Sequence, residues 1–341
     1  MVKPKKLNKG DMVAICSPSW GCAGSNRVKW KYLKGVENLK KFGLNVVSAP
    51  NALKGTTFLK NNPKARAEDL NWAFANKDVK AIICSVGGND SVKILPFLDS
   101  EIIKNNPKIF CGYSDILSVH LYLHKLGLIT FYGDNLLTTI ADSEGWEEYS
   151  KYWFEKAFFN TEPIGEIKQS KTWSYSKESY VDKNYKKIYV KNNGYEKIQG
   201  KGAVKGKLFG GHGMLMEYNC PELFTIDKEI FKDKILFFED IPEMCTPKYI
   251  EKFFKWLGSK GILNVIKGII IGKMRSAKPF DDYAKKIVQV VSLEYKLKDL
   301  PIMYGLNFGH TSPIFILPYE VLAILDIDNL KFKILEGGVK D

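Results

Sequence analysis

The sequence has 341 residues, of which 45% are hydrophobic and 26% are charged, and its formal net charge is +13. This length predicts two domains, and the composition excludes disordered, collagen-like and coiled-coil chains. No apolar run reaches the roughly 20 residues that cross a bilayer, and no signal-peptide pattern follows the basic amino terminus. We therefore expect a cytoplasmic protein without a membrane partner.

Lysine carries the positive charge, because arginine occurs only at Arg27, Arg66 and Arg275. Proteins that recognise nucleic acids rely on arginine forks, so we expect no nucleic-acid partner and interpret the lysines as a solvated surface. A weaker alternative is that the positive field collects an anionic substrate. The six cysteines form no Cys-x-x-Cys pair and no zinc spacing, which predicts reduced thiols and no metal site.

Strand and helix patterns alternate along residues 1–160, the first predicted domain. The apolar runs predict strands at 12–17, 44–48, 79–86, 108–113 and 129–132. Helical spacing predicts helices between Ser25 and Gly43 and at 65–76, 91–98 and 115–126. Such alternation is typical of an α/β fold with a mostly parallel sheet that helices cover on both faces.

Residues 161–202 lack clear periodicity and are predicted to connect the two domains, with short strands and a loop over a site. The second domain, residues 203–341, is predicted to be a smaller, β-rich α/β unit. Its strands are expected at 203–209, 234–238, 268–271, 302–306, 314–327 and 332–335, and its helices at 247–257 and 283–295.

Polar residues follow three strands of the first domain, where ligands of open α/β sheets bind. Ser114 lies on a predicted strand-to-helix turn, which would direct its hydroxyl into the crevice as a nucleophile. The amide of Asp115 and one from Gly87-Gly88 would then stabilise an oxyanion. The simpler interpretation of this segment alone is that Ser114 or Asp115 caps the helix.

A serine nucleophile needs a base and an orienting carboxylate. His120 and His124 are four apart on one helix, a spacing that can bind a metal, but no Glu follows His120. His212 and His310 each follow a strand, in glycine-containing turns. Glu239, which together with Asp240 ends an apolar strand, is the candidate carboxylate. The alternative is that this acidic pair is only the solvent-exposed start of a loop.

These segments together resemble the serine peptidase family of LD-carboxypeptidases and microcin C self-immunity peptidases. The likeness covers essentially the whole chain and is carried by Gly87-Gly88-Asn89, Gly112-Tyr113-Ser114-Asp115, Phe131-Tyr132-Gly133, Phe238-Glu239-Asp240 and His310-Thr311-Ser312-Pro313. The family has a Rossmann-like amino-terminal domain, a β-rich carboxy-terminal domain and an active site between them. The resemblance therefore implies a cytoplasmic serine carboxypeptidase.

The resemblance also assigns roles to residues. It implies a catalytic triad in which Ser114 is the nucleophile, His310 the general base and Glu239 the orienting carboxylate. The amides of Gly88 and Asp115 would form the oxyanion hole. Family members use no metal or organic cofactor and are usually homodimers, so we expect the same here.

Substrate-binding expectations rest on three further residues. Asn89 and Trp173 resemble the microcin-immunity subgroup, in which the equivalent Trp stacks on a nucleotide base. His212 lies where that subgroup has a substrate-pocket Asn, and Glu243 lies where it has a Lys near the phosphate-like group. The triad is therefore better supported than the substrate, since a carboxylate there would repel an anion.

Three functions remain open on the sequence alone. The favoured one is cleavage of the amide between an amino acid and a nucleotide-like or peptide group, with an aminoacyl-nucleotide as substrate. The alternative within this class is an LD-carboxypeptidase of murein tetrapeptides. A non-catalytic binder of anionic ligands is the remote alternative, and a dinucleotide enzyme is disfavoured because no Gly-x-Gly-x-x-Gly follows the first strand.

Overall fold

A computed structural model describes residues 1–177, 179–219, 223, 228–241, 245–274 and 280–341. Two sheets form its framework. Among the described residues, no helix is both long and apolar enough to cross a membrane. The five cysteines in these ranges are free thiols in the interior, and the sixth, Cys220, lies outside the described residues.

The first sheet has six strands in the order β14-β5-β4-β3-β1-β2. Its first five strands along the chain are parallel, as predicted: β1 (Met12–Cys16), β2 (Asn45–Ser48), β3 (Val79–Cys84), β4 (Ile109–Gly112) and β5 (Phe131–Tyr132). Val13 and Ile15 of β1 belong to one buried cluster, whereas Ala14 and Cys16 belong to another. Because successive side chains of a strand point to opposite faces, both faces of this sheet are covered.

Six helices accompany the first sheet: α1 (Lys29–Lys41), α2 (Thr56–Asn61), α3 (Pro63–Ala75), α4 (Ser100–Asn105), α5 (Leu117–Lys125) and α6 (Glu148–Phe158). The sequence analysis did not predict α6. Its buried residues are Ser150, Trp153, Phe154, Ala157 and Phe158, which recur at helical spacing. Short 3-10 or π turns add Gly21–Gly24, Ser91–Phe97, Ser114–Ile116, Leu136–Ile140, Leu215–Asn219, Lys228–Phe231 and Gln289–Glu294.

The second sheet has eight strands in the order β6-β16-β15-β10-β11-β12-β13-β9. Its centre is parallel and consists of β10 (Ala203–His212), β11 (Lys234–Glu239), β12 (Gly268–Gly272) and β13 (Ile302–Leu306). Antiparallel strands flank it: β6 (Gly165–Glu166), β9 (Glu196–Gln199), β15 (Leu322–Asp326) and β16 (Lys331–Ile334). Among the residues that the structure describes, this half contains α7 (Pro247–Ser259), which the Thr246 side chain caps, and α8 (Asp281–Val288).

The segment between the sheets contains short strands, as the sequence analysis expected. It supplies β6 and β9 to the second sheet, together with a separate hairpin of β7 (Thr172–Ser174) and β8 (Tyr189–Lys191). Ser174 of this hairpin forms an isolated bridge with Ser312. The hairpin therefore lies against the loop that carries His310.

The predicted strand over 314–327 is wrong as a single element. β14 (Leu317–Pro318) pairs with Phe131–Tyr132 and completes the first sheet, whereas β15 lies in the second sheet. The chain reverses between them in a turn where Glu320 adopts a positive φ of 60°. The turn contains no Gly, Asn or Asp, so the apolar run looks continuous in the sequence.

Candidate functional site

Ser114 lies where β4 ends and a 3-10 turn leads into α5. Its φ is +64°, in the left-handed region that side chains other than glycine rarely adopt. The same geometry is found at the nucleophile elbow of serine hydrolases, where a strained turn presents the hydroxyl above the sheet. The backbone here therefore does more than cap a helix. Tyr113, the residue before Ser114, makes no side-chain capping hydrogen bond.

His310 and Glu239 lie next to Ser114 although the three residues are far apart in the chain. Nε2 of His310 is 3.1 Å from Ser114 Oγ, and its Nδ1 is 2.7 Å from Glu239 Oε2. Glu239 is the last residue of β11, and His310 follows β13 in the same sheet. The structure thus brings a hydroxyl, an imidazole and a carboxylate into one hydrogen-bonded chain between the two sheets.

Gly309 allows the His310 loop to approach the carboxylate. Its φ is +91°, and a Cβ at this position would lie 2.5 Å from Glu239 Oε2. Any side chain here would therefore push His310 away from its partner.

Glu239 is ionised in this setting although its side chain is only 1% exposed. Burial by itself would raise the pKa of this carboxyl. The charge and hydrogen bond of His310, the charge of His212 and a hydrogen bond from Tyr132 outweigh burial, so the pKa falls to about 2. The carboxylate is thus available to hold the imidazole.

Tyr132 is a part of the site that the sequence analysis quoted in a motif without assigning it a role. Its hydroxyl donates to Glu239 Oε1 at 2.5 Å and accepts the N–H of Ser114 at 3.2 Å. Burial and the nearby Glu239 charge raise the pKa of Tyr132, so the hydroxyl keeps its proton. One buried side chain therefore links the strained backbone at Ser114 to the carboxylate.

The glycine loop after β3 lies directly beside the turn that carries Ser114. A Cβ on Gly87 would lie 3.1 Å from Ser114 Oγ and 3.4 Å from the amide nitrogen of Asp115. The Asp115 carboxylate accepts the N–H groups of Asp90 at 3.0 Å and Ser91 at 2.8 Å. It also accepts the hydroxyl of Ser19. This carboxylate therefore ties the glycine loop to the turn that carries Ser114.

Ser114 opens into a cleft made of three adjoining cavities. The cavity at the hydroxyl has a volume of about 190 Å³ and shares Tyr113, Tyr180 and His310 with a second cavity of about 130 Å³. On its other side it shares Trp20 and Gly88 with an outer cavity of about 440 Å³. Together they have room for a ligand with groups on both sides of the serine.

The three predicted substrate-binding residues occupy different places. Asn89 lines the outer cavity. Trp173 is 8% exposed, lies under Lys273 with Nζ 4.9 Å from its ring, and lines none of these three cavities. His212 is the last residue of β10 rather than part of a turn, and its ring packs edge-on against His310. Glu243 lies outside the described residues.

An exposed aromatic residue that the sequence analysis did not assign lies in the cleft instead. Trp20 is 40% exposed and lines the cavity at Ser114, where its ring centroid is 5.5 Å from that of Tyr180. Trp20 follows Ser17-Pro18-Ser19, the segment directly after β1. Its position after that strand is the signal that could have identified it.

His120 and His124 do not form the metal pair that their spacing allowed. His120 is buried between Thr130 Oγ1 and the carbonyl of Gly112, and burial lowers its pKa to about 4. His124 contacts Glu320 Oε1 at 2.9 Å. Both imidazoles therefore have structural partners.

Comparisons with known proteins match this chain over most of its length. The LD-carboxypeptidase N-terminal domain matches residues 13–133, and the LD-carboxypeptidase C-terminal domain matches residues 205–325. The microcin C7 self-immunity protein MccF of Escherichia coli is 29% identical, over 97% of this chain and 94% of its own. The probable murein peptide carboxypeptidase of Bacillus subtilis is 29% identical, over 99% and 96%.

Solved structures show the same fold. An MccF-like protein from Streptococcus pneumoniae in complex with AMP superposes with a TM-score of 0.85 at 31% identity, over 95% of this chain and 98% of that one. MccF in complex with aspartyl sulfamoyl adenosine gives a TM-score of 0.85 at 26% identity, over the full length of both.

Proposed function

We propose that Ser114, His310 and Glu239 are the catalytic triad of this protein. The chain belongs to the LD-carboxypeptidase (S66 peptidase) family and is a serine-type carboxypeptidase. The observation that carries the proposal is the continuous chain of contacts from Ser114 Oγ through both His310 nitrogens to Glu239. Such a chain is what an alcohol needs to become a nucleophile at neutral pH.

Hydrolysis would begin with attack of Ser114 Oγ on the carbonyl carbon of the scissile amide. His310 Nε2 takes the hydroxyl proton and then donates it to the leaving nitrogen, so that the C–N bond breaks and an acyl-enzyme forms. Water then attacks the ester with His310 again as base, which releases the acid and restores Ser114. Glu239 keeps the Nδ1 proton in place and stabilises the imidazolium.

The negative charge of the tetrahedral intermediate needs donors beside Ser114. We assign this role to the amides of Asp115 and Gly88, because the glycine loop lies against the nucleophile turn and the Asp115 carboxylate holds the two together. Removal of one such donor costs about 10²–10³ in kcat in other serine hydrolases.

The proposed substrate is an aminoacyl-nucleotide-like compound whose amino acid is released. The support is that MccF has been solved with aspartyl sulfamoyl adenosine and an MccF-like protein with AMP. In this chain, cavities on both sides of Ser114 accommodate the two parts of such a ligand, and Trp20 offers an exposed ring within the cleft. Asn89 lies in the outer cavity and would contact the part that reaches it.

A murein tetrapeptide is the second candidate, for two specific reasons. Trp173, the residue expected to stack on a base, is buried under Lys273 instead. A histidine, His212, also stands where the resemblance predicts a pocket asparagine. A murein peptide carboxypeptidase is among the relatives that match over nearly the whole chain.

The test compares wild type and Ser114→Ala on an aminoacyl-sulfamoyl adenosine and a murein tetrapeptide, with mass spectrometry of the products. Release of the amino acid from the adenosine compound by wild type alone supports the whole proposal. Cleavage of the tetrapeptide alone keeps the triad and changes the substrate. Full turnover by Ser114→Ala would refute the triad.

A further inference from the structure

His212 has an unusual environment for a buried histidine. It is 2% exposed, and among the described residues its Nδ1 has no hydrogen-bond partner. A buried polar atom without a partner costs about 1–3 kcal/mol, so such atoms normally have a ligand or a structural role. The other nitrogen, Nε2, lies 3.5 Å from Asp240 Oδ1.

Asp240 is fixed where it meets His212. Its Oδ1 accepts the N–H of Ile241 at 2.7 Å, and its Oδ2 accepts the N–H of Met214 at 2.9 Å. At 3.5 Å the contact between Asp240 and His212 is longer than a normal hydrogen bond, but a carboxylate beside one nitrogen of an imidazole, with the other nitrogen left open, resembles the arrangement that orients histidine ligands in metal sites.

Two more metal-ligating side chains lie within reach. One ligand atom each from His212, Glu239 and His310 lies within 4.8 Å of the other two. Zn²⁺ binds nitrogen and oxygen at about 2.0–2.2 Å, which places tetrahedral ligands about 3.3 Å apart. Small side-chain rotations would therefore bring all three atoms onto one ion, with a fourth position open to water.

We propose that His212, Glu239 and His310 form a binding site for Zn²⁺ or a similar transition metal, and that the bound ion inhibits the enzyme. His212 would bind through Nδ1. The inhibition rests on the proposed function, because the ion would hold the base and the carboxylate that hydrolysis needs. The binding itself does not depend on the triad's role, and neither Ser114 nor a substrate is required for it.

The binding test uses the full chain, stripped of metal with a chelator, and Co²⁺ as a spectroscopic probe. We expect one Co²⁺ per chain with the visible bands of four-coordinate cobalt, displaced by Zn²⁺. Ser114→Ala keeps all three ligands and should give the same spectrum. His124→Gln removes a histidine outside the site and should also bind one ion.

The variants that should lose binding are His212→Asn and Asp240→Asn. Loss of the orienting Asp240 carboxylate should weaken binding about 10–100-fold, and loss of the His212 ligand at least about 100-fold. Circular dichroism checks that both variants fold. Wild type that binds no cobalt, or His212→Asn that binds it as tightly as wild type, would overturn the site.

The inhibition test adds Zn²⁺ to wild type and to His212→Asn, each normalised to its own metal-free rate. We expect wild type to be inhibited and to recover with EDTA, while the half-inhibitory concentration rises at least about 100-fold in His212→Asn. Cobalt bound at His212 without inhibition would refute the inhibitory role alone. Turnover by Ser114→Ala would refute the proposed function and leave the cobalt result intact.

Discussion

Tyr132→Phe should damage both the stability and the activity of this protein. The substitution removes a hydroxyl that donates to the buried Glu239 carboxylate and accepts the N–H of Ser114. A hydrogen bond to a charged group contributes about 1.5–3 kcal/mol and a neutral one about 0.5–1.5 kcal/mol. The free energy of unfolding should therefore fall by about 2–4 kcal/mol.

The activity should fall because the hydroxyl holds the strained backbone of Ser114. Without it, the left-handed conformation at φ +64° loses a bond that offsets its cost of about 1–3 kcal/mol. We expect kcat for amino-acid release to decrease about 10–100-fold, which corresponds to about 1.4–2.7 kcal/mol of transition-state stabilisation.

Tyr319→Phe provides a matched control for this experiment. Tyr319 is equally buried in the same aromatic cluster, and its hydroxyl donates to the carbonyl of Gly210 at 2.9 Å. Its loss should cost about 0.5–1.5 kcal/mol and leave kcat per folded molecule unchanged. Urea unfolding measures the stability loss of both variants, and steady-state kinetics measures their kcat. Equal stability loss with full activity in Tyr132→Phe would refute the bridging role.

Three further predictions concern the glycine loop, acid stability and assembly. Gly87→Ala should lower kcat about 100-fold or more with little change in the circular dichroism spectrum, because its Cβ would lie 2.9 Å from that of Ser114; wild-type kinetics would contradict the close approach. The Glu239 carboxyl has a pKa of about 2 in the folded state and an ordinary pKa of 4.5, so its ionisation should add about 3 kcal/mol to the free energy of unfolding. This contribution should be complete above pH 4.5 and should be lost as the pH falls towards 2. Urea unfolding of wild type and Glu239→Gln should show this difference shrink between pH 6 and pH 3, and a constant difference would argue against it. Light scattering after size exclusion should give twice the 38.8 kDa chain mass if the homodimer implied by the resemblance forms; a single-chain mass at micromolar concentration would contradict it.

The sequence predicts the parallel sheet of the first domain and the positions of the central strands of the second, because those strands are short apolar runs with turn residues at each end. It did not predict that the centre of the second sheet is also parallel. The positions of Ser114, Glu239 and His310 follow from the same signal, since each comes at or just after a strand end. What the runs do not encode is which sheet a strand joins. The turn at Glu320 that separates β14 from β15 contains no Gly, Asn or Asp, so its two strands looked like one.

Trp173 illustrates a second limit of sequence reasoning. It lies in a strand of only three residues, Thr172–Ser174, which is too short for alternation to show which side chain faces inward. One residue that packs on its ring is Lys273, which follows β12 a hundred residues later and has its Nζ 4.9 Å from the ring. The sequence around Trp173 resembles the family's motif, but the residues that surround its side chain in the fold cannot be predicted from the local sequence.

The proposed site joins the two sheets, so the proposed catalysis depends on how they pack against each other. Tyr132 ends β5 of the first sheet, and its hydroxyl bonds to Glu239 at the end of β11 in the second. The strand beside β5 is β14, which comes from the carboxy-terminal part of the chain and follows His310 by only seven residues. The segment that carries His310 therefore also pairs with the edge of the sheet that carries Ser114. The distance between the two proposed catalytic residues thus depends on how this shared segment joins the sheets.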